Sequence, residues 1–440
     1  MGISQALYTG VTGLAVNADG MSVIANNIAN ANAKGFKRDR TEFEDMLSRE
    51  INSGSGTTQI GRGARLANVK TIHTQGSLAV TDNLTDLAIQ GNGFFVLADP
   101  LANSLESAGK YYTRSGSLNF DKEGYLATSF GSRVQGYMAD AKGNLRSRLT
   151  DIRIETNTIP PQATTNVMVN VQLDSRVPII EKPFDINNTT ETSNFGPSFT
   201  VFDSHGRSHQ VTTFFRKTSS SEEGTEWEWH AAVDSSEVTN PSGFDLTEFA
   251  NGKVRFNKNG MLLEEITDQS SINFSNGAFP NQQIAFDFGR NVAEEGGTGI
   301  NAATSIAGKS VLNFHQQDGY EAGQLKSLQI ESDGRIRGVF SNGVQRDLAS
   351  VALATFSNQD ALMKAGRNMF YSTIKSGPPN IGTPETGARG SLYSSSLEES
   401  NVDLAGEFVN MITTQRLFQA NSRSITTTDA MIEEVINLKR

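Results

Sequence analysis

The sequence contains no cysteine in its 440 residues. Disulfide bonds, thiolate metal sites and cysteine nucleophiles are therefore excluded for this chain. The sequence also lacks any run that approaches the ~20 consecutive apolar residues of a membrane-spanning helix. We therefore expect no insertion into a membrane.

The sequence contains fewer basic than acidic residues. Lysine and arginine number 38 against 48 aspartate and glutamate residues, which gives a formal net charge of −10. Neutralising a phosphate backbone requires clustered basic side chains, and the densest basic stretch of this chain runs directly into acidic residues. We expect no nucleic-acid partner. We interpret the stretch, which comprises Lys34, Lys37, Arg38 and Arg40, as a solvated charged segment.

Residues 1–33 lack the pattern of a secretory signal, which is a basic start followed by a continuous apolar core. They carry a single charged residue, Asp19, and Asn17, Asn26 and Asn27 interrupt their apolar residues. If the protein leaves the cytoplasm, we expect it to do so without a cleaved signal peptide.

Motifs that carry catalytic or metal chemistry are scarce. His205 and His209 stand four residues apart near Asp203, but Gly206 and the alternation on either side place them in an exposed hairpin turn and not on one helix face. No Walker A loop, G-x-S-x-G or H-E-x-x-H motif occurs, and the S-x-x-K match at Ser372–Lys375 lacks the companion motifs that its chemistry requires. We expect no catalytic residue, no cofactor and no metal site, and hence a protein that is not an enzyme.

The first segment of the chain predicts a helix with an apolar heptad seam. Apolar residues recur there in alternating steps of four and three residues, which is the spacing of a coiled coil. They are Leu7, Val11, Leu14, Ala18, Met21, Ala25 and Ile28. The pattern predicts a helix from about residue 3 to residue 32, ended by Asn30, Asn32 and Gly35.

The last segment repeats the pattern. One heptad register holds Leu404, Phe408, Met411, Phe418, Ile425 and Ile432, with Gln415, Ser422 and Asp429 at the intervening positions. Ser400 or Asn401 is the expected N-cap, because either side chain can accept a hydrogen bond from the first turn of the helix.

The pattern alone leaves two interpretations of these helices open. They could be ordinary amphipathic helices of a globular core, or elements that become buried when subunits assemble. Gly10, Gly13 and Gly20 favour assembly, because each glycine costs ~1 kcal/mol in a helix interior and such a helix needs neighbours to hold it. These small residues would also let other helices approach closely.

Between the two ends, alternation with period two predicts β-strands. Stretches at 52–63 and 376–391 have the composition of linkers and lie at mirrored distances from the two ends. The predicted fold class is multidomain α + β, with paired N- and C-terminal coiled-coil-like helices and nested, discontinuous all-β domains. The predicted parts are a helix pair (1–33 and 400–440), connecting segments (34–75 and 376–399), an inner β domain (76–165 and 310–375) and an inserted outer β domain (166–309).

Both ends of the chain also resemble a known family. Ala6–Leu14 and Asn26–Lys37 resemble the opening shared by flagellar rod and hook proteins. Ser400–Leu404 and Asn410–Asn421 resemble the C-terminal helix of the same proteins. The length of 440 residues, and hook-like stretches in the middle such as Phe199–Gly206, point to the hook members of that family.

The resemblance implies a structural subunit that assembles with further copies of itself into a curved tubular polymer, the universal joint between rod and filament. The terminal helices would form the inner tube and the β domains its outer layers. Expected neighbours are the distal rod protein, the hook cap protein, the hook–filament junction protein and the flagellar type III export apparatus. The expected location is the extracellular hook of the bacterial flagellum basal body.

On this interpretation the two heptad seams supply the polymer interface and become ordered only when neighbouring subunits bury them. The residues expected at that interface are Leu7, Val11, Leu14, Met21, Ile28, Phe408, Met411, Phe418, Ile425 and Ile432. The alternative within the family is another axial protein, at the distal rod or the hook–filament junction. Outside the family, a secreted adhesin or enzyme with a β core remains as a second alternative.

Overall fold

The structure, a computed structural model, describes residues 2–53, 56–98, 109–141, 143–154, 158–241, 243–292 and 302–437. Two long helices flank a chain that is otherwise mainly β-structure. Helix α1 spans Gly2–Ala29, α2 is a single turn at Thr189–Thr192, and α3 spans Leu404–Asn437. The predicted combination of terminal helices with β-structure between them is confirmed.

The strands follow one another along the chain with short connections. Up to residue 154 they are β1 (Asp39–Asp45), β2 (Arg49–Ser53), β3 (Gly56–Ile60), β4 (Ala64–Thr71), β5 (Leu78–Val80), β6 (Leu87–Gln90), β7 (Phe94–Ala98), β8 (Tyr111–Thr113), β9 (Leu118–Phe120), β10 (Leu126–Thr128), β11 (Arg133–Ala139) and β12 (Leu145–Asp151). From residue 158 they are β13 (Thr158–Ile159), β14 (Asn166–Asp174), β15 (Ser198–Phe202), β16 (Ser208–Ser221), β17 (Gly224–Asp234), β18 (Leu246–Asn257), β19 (Leu262–Ile272), β20 (Gln282–Gln283), β21 (Ala285–Asp287), β22 (Thr304–Ile306) and β23 (Val311–Gln317). The last are β24 (Gly323–Ile330), β25 (Arg335–Phe340), β26 (Gln345–Val351), β27 (Leu353–Thr355), β28 (Met363–Gly366), β29 (Met369–Tyr371), β30 (Asn380–Gly382), β31 (Ser391–Ser394) and β32 (Ser396–Glu398).

The chain divides into two compact units. The first comprises Met1–Thr156, Ser327–Val339 and Gln345–Arg440. Its main sheet has the strand order β25-β26-β11-β7-β8-β29-β28, with antiparallel neighbours throughout. Two late strands return to early ones, because β31 pairs with β6 and β32 pairs with β5. This return brings the segment before α3 back to the N-terminal part of the chain.

The second unit comprises Asn157–Lys326 and Phe340–Val344. It contains a six-stranded antiparallel sheet in the order β15 to β20, and a smaller sheet in which β14 pairs with β21, β22 and β23. Alternate residues of β14 are buried, as expected for a strand with one face on a core. They share one apolar core with alternate residues of β17; the members are Val167, Val169, Val171, Leu173, Trp227, Trp229, Ala231 and Val233.

The stretch 52–63 is not the open linker that its composition predicts. β2 and β3 form a hairpin in which Ser53 pairs with Gly56, and β1 pairs with β4 from Asp39 to Asp45. Residues 54 and 55 lie outside the described residues. Glycine and serine suit a hairpin turn as well as a linker, so composition did not separate the two.

The turn at 203–209 is a hairpin, as predicted, but it is not exposed throughout. His205 is exposed, whereas Asp203 and His209 are buried. The His209 ring lies 2.7 Å from Glu237 through Nδ1 and 3.2 Å from Asp203 through Nε2. Burial alone would raise the pKa of Asp203, but hydrogen bonds from Asn276, the backbone of Arg207 and His209 hold it below its usual value. The cluster is therefore a buried polar support of the hairpin.

Candidate functional site

The two long helices pack against each other within the first unit. Helix α3 begins at Leu404, where Asp403 caps it: its Oδ1 accepts a hydrogen bond from the backbone N–H of Ala405 at 3.1 Å. The N-cap predicted at Ser400 or Asn401 is therefore wrong. Asp403 provides both the acceptor and a negative charge near the positive end of the helix dipole.

Helix α3 approaches α1 closely at Gly10 and Gly13. A Cβ atom at Gly10 would lie 2.8 Å from Cγ1 of Ile425, and one at Gly13 would lie 2.8 Å from Nδ2 of Asn421. Real Cβ atoms do not approach other atoms this closely, so a larger residue at Gly10 would push against Ile425, and one at Gly13 would require the end of the Asn421 side chain to move. The expectation that these glycines permit close helix approach is confirmed within the chain for Gly10 and Gly13, whereas a Cβ at Gly20 would lie nearest to Phe43 on β1, at 3.5 Å.

The apolar seam of α1 is not centred on this contact. At ~100° per residue, the seam lies roughly a quarter turn from the glycine stripe, which we define as Gly10, Gly13 and Gly20. Among the seam residues of α1, Val11 is exposed, and Leu7, Leu14, Met21 and Ile28 are partly buried. The seam is therefore only partly covered within the chain.

Helix α3 is exposed along almost its whole length. Only Glu407 and Thr428 are buried on it among the described residues. Of the interface residues predicted on α3, Met411, Ile425 and Ile432 are partly buried, and Ile425 contacts the glycine stripe; Phe408 and Phe418 are exposed. Ile412 and Leu417, which the heptad register missed, are 52% and 51% exposed. So many exposed apolar side chains on one helix are typical of an interaction surface.

The ladder of β1 and β4 also contacts α1. The side chain of Asn27 pairs twice with the backbone of Asp39, because its Nδ2 donates to the Asp39 carbonyl oxygen at 2.8 Å and its Oδ1 accepts from the Asp39 N–H at 2.9 Å. Nδ2 also lies 3.3 Å from Oε1 of Glu407 on α3. Asn27 thus links α1, β1 and α3 at one buried point.

A buried ion cluster lies beneath the helix pair. Lys37 Nζ lies 2.5 Å from Oε1 of Glu398, and both side chains are completely buried. Arg114 Nη1 lies 3.4 Å from the other carboxylate oxygen of Glu398, Oε2. The Oε1 atom of Glu398 also accepts a hydrogen bond from the backbone N–H of Gly76. The interpretation of Lys37 as part of a solvated segment is wrong: its charge is balanced by Glu398, and burial is tolerated for that reason.

Burial dominates the electrostatics of this cluster. Burial lowers the pKa of Lys37, and the neighbouring Glu398 carboxylate only partly offsets it. Burial likewise lowers the pKa of Arg114, again opposed by Glu398. One carboxylate therefore stabilises two buried cations, so its loss would be costly.

Asn401 completes the connection between the two ends of the chain. Its Oδ1 accepts from the backbone N–H of Arg38 at 2.8 Å, and its Nδ2 donates to the carbonyl oxygens of Ile72 and Thr74 at 2.8 and 3.0 Å. We call Lys37, Glu398, Arg114 and Asn401 the polar root of the helix pair. It links the segment after α1 to the segment before α3 within the first unit.

Sequence reasoning missed the polar root and Asn27 as functional positions. Asn27 and Lys37 lie inside the N-terminal stretch that resembles the family, and Asn401 lies inside the C-terminal one. The sequence does contain one signal for them. Charged and amide side chains stand in two stretches, one near each end of the chain, that are otherwise weakly charged.

His73 lies next to the polar root, between the rings of Phe94 and Phe370 at centroid distances of 5.7 and 5.6 Å. Burial is the main cause that lowers its pKa to about 4, and the positive charge of Lys37 adds to the effect. The ring is therefore neutral in the folded chain near pH 7.

This shift predicts acid sensitivity of the first unit. The unfolded chain binds the His73 proton with a pKa of about 6.5 and the folded chain with a pKa of about 4, so stability is complete above about pH 6.5 and falls as the pH drops towards 4. The free energy of unfolding of the parent chain should be lower at pH 5 than at pH 7, and we expect His73→Phe to remove about 1 to 2 kcal/mol of that difference. Urea unfolding followed by circular dichroism at both pH values measures this. The exposed His205→Phe is the matched control, and an equal change in both variants would contradict the assignment.

Other kinds of site are not found in the part of the chain that the structure describes. No group of three or more His, Asp or Glu side chains there could hold a metal ion. Among the same residues, no helix is long and apolar enough to cross a membrane.

Four family models match the chain. They are the flagellar basal body rod protein (residues 7–37), the D1 domain of flagellar hook protein FlgE/F/G (88–172), the flagellar basal body protein FlaE D2 domain (172–320) and the C-terminal part of the flagellar basal body rod FlgEFG protein (393–438). The first of these contains most of α1, the last contains α3, and together they include Lys37, Glu398 and Asn401 of the polar root.

Whole-chain relatives agree. The chain is 34% identical to flagellar hook protein FlgE of Treponema pallidum over 99% of this chain and 100% of that protein. It is 31% identical to flagellar hook protein FlgE of Salmonella typhimurium over the full length of both. The crystal structure of Helicobacter pylori flagellar hook protein FlgE2 matches with a TM-score of 0.52 at 15% identity, covering 73% of this chain and 100% of that one, which shows a shared fold.

Proposed function

The chain belongs to the flagellar hook protein family, and from that premise we propose that it polymerises into the hook tube through its terminal helix pair. As a member of this family it is a structural subunit of the flagellar hook and not an enzyme. A distal rod or hook–filament junction protein is not favoured, because the relatives that match along the whole chain are hook proteins.

One observation carries the proposal: α3 is a 34-residue helix with only two buried side chains among those described. Its exposed apolar residues include Phe408, Ile412 and Leu417, each at least half exposed. Burying the exposed half of such a side chain stabilises by about 1 kcal/mol, half of the usual value for complete burial. Contact with further copies of the chain would supply that burial along the whole helix.

The two faces of α1 suggest a division of roles. The glycine stripe receives α3 of the same chain, and the seam residues Leu7, Val11, Leu14, Met21 and Ile28 receive helices of neighbouring copies. Packing of apolar seams at heptad spacing would be of the coiled-coil type. On α3 the proposed seam comprises Phe408, Met411, Phe418, Ile425 and Ile432, of which Ile425 also contacts the glycine stripe of its own chain.

The larger arrangement follows from the family. In the proposed tube, the helix pair (1–33 and 400–440) lines the inside, connected by 34–75 and 376–399 to an inner β domain (76–165 and 310–375) and an outer β domain (166–309). The curved tube would act as a universal joint between rod and filament. The proposed neighbours are the distal rod, hook cap and hook–filament junction proteins, reached after type III export without a cleaved signal peptide.

Electron microscopy of the purified, assembled chain tests this proposal. We expect a curved tube, and we expect Val11→Ser to raise the critical concentration for assembly about fivefold, because a half-exposed valine loses about 1 kcal/mol of burial. The free chain should be destabilised by no more than about 1 kcal/mol, since Val11 is already 48% exposed there.

Ile374→Ser is the matched control, because Ile374 is a fully exposed apolar residue outside both helices. It should assemble like the parent chain. Tubes that form equally well with Val11→Ser would show that the seam is not the interface.

A further inference from the structure

Helix α1 carries a single charged residue, Asp19, among its 28 residues. Asp19 is exposed and pairs with no cation among the described residues. The face of a helix that stays in water usually carries several charged side chains. The outer side of α1 is therefore unlike a permanently solvated surface, and it presents one negative charge where its other side chains are uncharged.

The central part of α3 carries charge of the opposite sign. Between Phe408 and Thr428 its only charged residues are Arg416 and Arg423, which are one heptad apart. Both side chains are exposed, and neither pairs with an acidic group among the described residues. They share one face of the helix and are about 10 Å apart along its axis. We call Arg416 and Arg423 the arginine pair.

Within one copy, these charges lie away from the contact between the two helices. Helix α3 faces the glycines of α1 with Asn421 and Ile425, and the arginine pair lies about 140 to 180° round α3 from these two residues. Asp19 lies about 120 to 180° round α1 from Gly10 and Gly13. Asp19 is therefore on the outer side of α1 and the arginine pair on the outer side of α3, so neither meets the other in its own chain.

Exposed apolar side chains accompany the charges on both outer sides. Tyr8 is 69% exposed and lies within about 20° of Asp19 round α1. Val409 is 63% exposed and lies within about 20° of Arg416 round α3. Each side thus combines apolar surface with charge, and the two charges are opposite. Contact between the apolar parts would exclude water and so strengthen the attraction between carboxylate and guanidinium.

We propose that the outer side of α1 in one copy docks against the outer side of α3 in a second copy, with Asp19 against the arginine pair. The inference rests on the proposed function, because it requires that copies pack side by side. A contact between two different surfaces repeats from copy to copy, so it can build an extended polymer. Charge pairs between packed helices select the partner and fix the register of packing.

Charge reversal in separate full-length chains tests this contact. The Asp19→Arg chain alone should show a critical concentration for assembly at least about tenfold above that of the parent, because it brings a third cation to the arginine pair. Arginine is a better helix former than aspartate, so a loss of helix propensity would not explain the rise. Sedimentation of the assembled chain measures it.

Mixing two chains shows whether the contact joins different copies. The Asp19→Arg chain, labelled and mixed in equal amounts with an Arg416→Asp or an Arg423→Asp chain, should enter tubes within about threefold of the critical concentration of the parent. The reversed charges then attract each other across copies. The position that restores assembly reports the axial offset between neighbouring copies.

Two matched controls separate this contact from an effect of overall charge. Glu222→Arg makes the same change of charge as Asp19→Arg at an exposed position of the second unit, and it should assemble like the parent. Arg148→Asp, at an exposed position of β12, changes the charge as the arginine-pair variants do. It should not bring the Asp19→Arg chain into tubes.

The outcomes separate this inference from the proposed function. If the Asp19→Arg chain assembles at the critical concentration of the parent, the inference is overturned and the hook function stands. The inference is also overturned if neither arginine-pair variant brings that chain into tubes, or if Arg148→Asp does so equally well. If the parent itself forms no tubes, the proposed function fails and this inference fails with it.

Discussion

Glu398→Gln is expected to destabilise the first unit by about 3 kcal/mol or more, because it leaves Lys37 and Arg114 as buried cations without a counter-charge. Glutamine has the shape of glutamate and can still accept from Lys37, so the loss reports the missing charge and not a cavity. Urea unfolding followed by far-ultraviolet circular dichroism measures it. The fluorescence of Trp227 and Trp229, both in the second unit, follows that unit separately.

The neighbouring residue provides a matched control. Glu399 pairs with Lys34 at 3.1 Å, but both side chains are nearly half exposed. Exposed ion pairs contribute little, so Glu399→Gln should change the free energy of unfolding by less than about 1 kcal/mol. Equal effects of the two substitutions would contradict the role of Glu398 in the polar root.

Gly10→Val is expected to weaken assembly and to raise the critical concentration at least about tenfold. Its Cβ would lie 2.8 Å from Cγ1 of Ile425, which is within the side chain and not at its flexible end, so α3 must move away from α1. The β-structure of both units should remain folded. Sedimentation of the assembled chain and circular dichroism of the free chain measure the two effects.

Ala15→Val controls for the added bulk. Ala15 is exposed on α1, and valine is a poorer helix former than alanine, whereas replacing glycine by valine improves helix propensity. Helix propensity alone therefore predicts that the control is the more harmful change. If Ala15→Val impaired assembly more than Gly10→Val, the close contact at the glycine stripe would not be what holds the pair.

The sequence predicted the helices well because their signals are local. Heptad spacing specifies α1 and α3, and the glycines of α1 correctly indicated close approach by another helix. The side of α1 that faces α3 was not predictable, since an apolar seam does not say which partner covers it. The heptad register also passed over Ile412 and Leu417, which lie outside the strict seven-residue repeat.

Buried charges could not be predicted from local sequence. Lys37 looked solvated because its partner Glu398 lies 361 residues away. Long-range contacts bring the two together, among them the pairing of β32 with β5 and the hydrogen bond from the Gly35 N–H to the Glu398 carbonyl oxygen. The same reason applies to His209, whose partner Glu237 belongs to another part of the second unit. Long-range strand pairing decides which charges are buried, and a single sequence does not reveal that pairing.

Amide hydrogen exchange in the free chain and in the assembled tube tests the central claim most directly. Helix α1 contains three glycines and α3 is almost wholly exposed, so we expect both to open readily in the free chain and to be held by neighbouring copies in the tube. Amides of residues 5–30 and 404–437 should therefore exchange fast in the free chain and slowly in the tube, while those of β17 stay protected in both. Strong protection of residues 5–30 in the free chain would contradict the claim that assembly orders the helix pair.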